Sequence, residues 1–163
     1  VAPLTEYQQR RDALDQKILD DIEKHGWSDM SIFPTKDLPG LPFNYTVGFS
    51  THHDQPELLI MGMDHRQMHG VLGSAFVRMG GGERFRAGEY YHEVLVEHRV
   101  AFVEIPDPID NGYPMSMTHR LMGEFKALQL VWPDMNDRFP WHVGFDKNYL
   151  DHQELLGPWK GDL

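Results

Sequence analysis

Apolar residues recur along the chain with two periods, which separate helices from strands. Between Thr5 and Gly26, Leu14, Ile18 and Ile22 repeat every fourth residue in an otherwise charged segment, giving the narrow stripe of an outer helix. Thr5 followed by Gln8 matches a capping box, and Lys24-His25-Gly26 supplies a basic last turn and a glycine stop. Trp27 to Phe33 reads as a strand stopped by Pro34. The proline and glycine loop behind it delivers a second strand over Phe43–Phe49. Leu58–Met63 is apolar on both faces and is expected as a third, central strand. It should pair antiparallel with the second, because a parallel pair needs a crossover of about a dozen residues or more. The period then changes. Met68, Val71, Leu72, Ala75, Phe76 and Met79 form the buried face of a helix opened by Asp64 and Gln67 and ended by Gly80-Gly81-Gly82.

Beyond that helix, Arg84 to Ile105 is strand-like, with an alternating stretch over His92–His98 and an apolar one after it. Met117, Leu121 and Phe125 mark a short helix from Ser116, and Ala127–Trp132 reads as a further strand. These elements predict one α+β domain over residues 1–163, a mainly antiparallel twisted sheet packed with about three helices. The first helix occupies 1–26, and 133–163 is an irregular, aromatic-rich tail packed on the domain. Val47, Leu59, Met68, Leu72, Phe76 and Val131 are the expected core.

Composition narrows the chemistry. The chain has no cysteine, which removes disulfides, thiolate nucleophiles and thiolate metal sites, and leaves nitrogen and oxygen ligands for any metal. A formal charge of −10 argues against a nucleic-acid partner, which needs clustered Lys and Arg. No apolar run reaches the ~20 residues that span a bilayer, and the N-terminus has no signal-peptide order. A cytoplasmic, bacterial-type protein with no membrane partner is the expectation.

Candidate chemistry concentrates in two places. His52 and His53 lie on the turn between two strands, while His65 and His69 share a helix face four residues apart. A pair at that spacing can chelate zinc, nickel or iron, but the glutamate of H-E-x-x-H is missing and adjacent strand-end side chains diverge. No metal centre is therefore expected. Trp132, Asp134, Arg138 and Trp141 form the second group, a proline-punctuated loop combining an apolar wall with a few charges. The plainer reading makes the loop a core-pinned turn in which the Asp134 side chain bonds the backbone. The expected site is a small-ligand pocket lined by His53, His69, Trp132, Asp134, Arg138 and Trp141, with cofactor and reaction unassigned. The alternative is an acidic interaction module or homo-oligomer that uses its exposed aromatic tail.

Three stretches also carry a family resemblance: Phe43–Met63, the glycine-ended helix with "ERFRAGE" behind it, and Ala127–Asp146. Tyr45-Thr46-Val47-Gly48, Pro56-Glu57-Leu58, His69, Leu128–Asp134 and Phe139-Pro140-Trp141 resemble a bacterial family catalogued as domain of unknown function 4262, over roughly 23–156. A histidine commonly precedes Pro-Glu-Leu in that family, and Gln55 stands there in this chain. The resemblance implies no particular activity. The order of elements over Phe43–Met79 is also loosely similar to flavin-reductase-like split barrels, where a flavin lies across the sheet.

Overall fold

The computed structural model describes residues 5–163. Helix α1 (Glu6–His25) starts at Thr5, whose hydroxyl accepts from the Gln8 amide while the Gln8 side chain accepts from the Thr5 amide. It ends at Gly26 in the left-handed conformation, φ 87°. Residues 1–4 of the expected helical span lie outside the described residues. Strands β1 (Ser28–Ile32) and β2 (Phe43–Val47) follow, then a one-turn helix α2 (Phe49–His52), β3 (Glu57–Met61) and α3 (His65–Gly80). The hairpin β4 (Tyr90–Leu95) and β5 (His98–Glu104) precedes a short α4 (Ser116–Met122) and β6 (Ala127–Val131). Apart from a 3-10 turn at Lys147–Tyr149, the tail has no helix or strand.

All six strands join in one open sheet, ordered β1-β2-β3-β6-β5-β4. The β2–β3 pair is antiparallel as expected, with Phe43 opposite Met61 and Tyr45 opposite Leu59. Every other pairing is antiparallel except β3–β6, where Glu57 faces Ala127 in a parallel seam. The result is an α+β domain with a mixed sheet. An open sheet in this order also departs from the split-barrel comparison.

The alternation of β-strand side chains sorts the core onto two faces. Leu58, Ile60, Val100, Phe102, Leu128 and Leu130 pack against Met68, Val71, Leu72, Ala75 and Met79 of α3. On the other face, Ile18 of α1 and Met117 of α4 cover Phe43, Tyr45, Val47, Leu59 and Met61. The same face of β5 and β6 (Ala101, Val103 and Val131) is covered by Phe139 and Trp141 of the tail, together with Trp159. Five of the six expected core residues are fully buried. Phe76 is half-buried at the edge, packed against Trp27, Phe49 and both turn histidines. Leu72 has no exposed surface. Leu72→Ala should therefore cost about 2–5 kcal/mol, read as a lower urea midpoint with an unchanged slope.

Candidate functional site

The second expected strand stops early, and the reason lies at the start of β3. Gly48 takes φ 114° and turns the chain into α2. The first amides of that helix are satisfied by Glu57, which is fully buried. Its carboxylate accepts from Phe49 N (3.0 Å), Ser50 N (2.8 Å), Ser50 Oγ (2.5 Å) and Thr46 Oγ1 (2.7 Å). Burial pushes the Glu57 carboxyl above its ordinary range, against the four donors, which favour the charged form. With all its acceptor sites taken, Glu57 acts as an internal cap.

The four histidines separate into two groups. His52 and His53 lie edge to face (centroids 4.7 Å apart) against Phe76. Burial lowers the His53 pKa, and His52 beside it acts the same way. His65 and His69 instead flank a polar chain on the α3 face. His69 Nδ1 lies 3.1 Å from Asp29 Oδ1, and Asn44 Nδ2 donates to Asp29 Oδ2 at 2.8 Å. Asn44 Oδ1 meets His65 Nδ1 at 2.5 Å. The His69 ring stacks on Trp27 and lines a cleft with Lys17, Asp21, His25 and Ser28. Among the described residues, no group of three His, Asp or Glu side chains is placed to hold a metal ion.

The Trp-rich loop is occupied internally. Asp134 is buried and accepts the amides of Asn136, Arg138 and Asp146, which together hold its carboxyl below the ordinary range even though burial alone would raise it. Trp132 is buried too, donating its indole N–H to Met61 O while packing on Tyr149 and His152. Trp141 is sandwiched between Phe139 (5.3 Å) and Trp159 (4.2 Å) and donates to Tyr90 Oη. His142 Nδ1 accepts the Phe139 amide, and burial, with Arg99 nearby, lowers its pKa. Arg138 is exposed and reaches Gly144 O at 3.4 Å. The structure does not bring the two expected groups together: Trp141 lies on the sheet face opposite α3, with His53 and His69 on the α3 side. No hydrogen bond or ring contact joins His53 or His69 to Trp132, Asp134, Arg138 or Trp141 among the described residues. The pleat sends Leu130 and Val131 to opposite faces, and the loop group divides likewise: Trp132 packs in the α3-side cluster and Trp141 with Val131 on the other face.

A different concavity has the character of a ligand site. It is a cleft of about 600 Å³ between α1, the β1–β2 hairpin and α4. Met30 and Ile32 of β1 and Phe43 and Tyr45 of β2 line it together with Leu38 and Met117. Tyr7, Arg10, Arg11 and Leu14 line it from α1, and Arg120 from α4. Arg120 is tied to Asp15 of α1 and touches Met117 Sδ, while Arg10 pairs loosely with Glu6 at 3.8 Å. Tyr45 accepts the Met117 amide at 2.9 Å, and burial pushes its phenol up to about 12, so the hydroxyl keeps its proton. The sequence signal for this cleft was Tyr7, seven residues before Leu14, extending the α1 stripe past the turns that are buried.

No helix among the described residues is long and apolar enough to cross a membrane. No curated protein and no solved structure matches the chain. A family model described as a domain of unknown function, DUF4262, matches residues 21–146, covering β1 through β6 and the Trp-rich loop, and the chain belongs to that family.

Proposed function

We propose that this domain binds a small molecule with an apolar body in the cleft between α1, the β1–β2 hairpin and α4. The observation that carries the reading is an unburied stripe. Tyr7 and Leu14 are 67% and 38% exposed, yet they face an apolar floor in which Phe43 and Tyr45 are each only 2% exposed. The volume falls in the range of ligand pockets, about 300–1,000 Å³, and an apolar lining with a few polar groups is their usual chemistry. His69 keeps a secondary place in this reading, since Asp29 and Trp27 hold its ring at the neighbouring cleft.

The neutral fluorophore N-phenyl-1-naphthylamine tests the proposal. Saturable fluorescence enhancement at about one probe per chain is expected, with Leu14→Asp weakening binding about tenfold, or roughly 1.4 kcal/mol, and leaving the melting temperature near wild type. Linear, non-saturating enhancement, or equal binding by Leu14→Asp, would remove the cleft from consideration.

A further inference from the structure

We infer that the ligand of the α1–α4 cleft carries a carboxylate head on its apolar body, and that Arg11, which has no carboxylate partner among the described residues, holds that head. The inference rests on the ligand-binding reading above. The chain has 15 basic residues against 25 acidic ones, yet three arginines, Arg10, Arg11 and Arg120, converge on a single apolar cleft.

The protein carboxylates around them do not balance those charges. Glu6 and Arg10 form an exposed i,i+4 pair, with side chains 83% and 73% accessible, and such pairs are weak and easily exchanged. Asp15 holds Arg120, and Arg11 has no carboxylate partner among the described residues. Three guanidiniums line the cleft and, among the described residues, two are paired with carboxylates, so one guanidinium is in excess. That excess matches one singly charged head. A guanidinium fork binds a carboxylate through two parallel N–H···O bonds, so Arg11 is suited to a carboxylate head.

Tyr45 supplies a neutral donor. Its hydroxyl oxygen is engaged by the Met117 amide, leaving its own proton available to a ligand oxygen within the cleft. The lining contains no glycine and no lysine, the usual equipment of a phosphate cradle. A singly charged carboxylate matches one unpaired guanidinium more closely than a phosphate monoester, which carries about −1.5 to −2 charges.

Displacement of N-phenyl-1-naphthylamine by decanoate and by 1-decanol, at low ionic strength, separates this inference from the reading beneath it. Decanoate should displace the probe at about a tenfold lower concentration than decanol. Arg11→Met, at an exposed position with no ion pair among the described residues, should bring the two competitors close to parity. Asp15→Asn, which frees Arg120, should improve decanoate about threefold and leave decanol unchanged. Equal potency of the two competitors on the wild-type protein would overturn the carboxylate and leave the ligand-binding reading standing. Failure of probe and both competitors to bind would overturn both. Co-sedimentation with phosphatidylglycerol vesicles that Arg11→Met abolishes, without decanoate selectivity, would give the arginines to a membrane surface and overturn the inference.

Discussion

Gly62→Ala should destabilise the domain by about 3–5 kcal/mol, among the largest losses any single methyl can produce here. Gly62 follows β3 with φ 86°, a conformation that costs an L-residue about 1–2 kcal/mol. A Cβ there would also stand 1.7 Å from the carbonyl oxygen of His152, so backbone must move. Two further contacts resist that movement: the Trp132 indole bonds Met61 O, and the Gln153 amide is paired with Trp132 N and O. Gly112→Ala is the internal control, because Gly112 has φ 85° but nothing within 4 Å of its added Cβ. Urea melts of the two variants should differ by about 2 kcal/mol or more, the part owed to docking of the tail. Equal losses would mean that the tail does not press on this strand end.

Glu57→Ala is the second large effect, also about 3–5 kcal/mol, because it leaves two amides and two hydroxyls without their acceptor in the interior. Glu57→Gln keeps one acceptor oxygen and should cost less. The pH dependence has a definite sign. With its folded pKa raised by burial, Glu57 binds a proton more readily in the folded chain than in the unfolded one. Its contribution is complete below the unfolded carboxyl value of about 4.3 and is lost as pH rises through the folded value. Across that interval the denaturant midpoint of the wild type should fall relative to that of Glu57→Gln as pH rises. An unchanged profile in the variant would contradict the raised pKa.

Local signals account for what could be read from the residues alone. The Thr5–Gln8 box, the Gly26 stop and the Met68–Met79 face each depend on neighbours within a turn or two, so α1 and α3 were legible. The bonding of Asp134 to nearby amides was legible for the same reason. The α2 turn was not, because its cap comes from Glu57, eight residues past Phe49, and a Gly48-Phe49 junction continues a strand pattern equally well. That the two candidate groups lie apart was not legible for a related reason. Periodicity assigns His53, His69 and Trp141 to elements, but which sheet face each reaches depends on strand order, and the β3–β6 pairing is not written in any short window. The α1–α4 cleft joins residues more than a hundred positions apart, as Asp15 and Arg120 illustrate.

That β3–β6 pairing also imposes an order in time. The β1–β2 and β2–β3 ladders and the β4–β5 hairpin close over short stretches of chain, whereas Glu57 and Ala127 must meet across seventy positions. Loop entropy makes the distant meeting the costly one, although that cost grows only slowly with length. The sheet thus consists of two halves that each close over shorter stretches of chain, and their joining carries the largest loop-closure cost. Until they join, Leu58 and Leu128, both buried in the finished molecule, leave two apolar strand edges open to other chains.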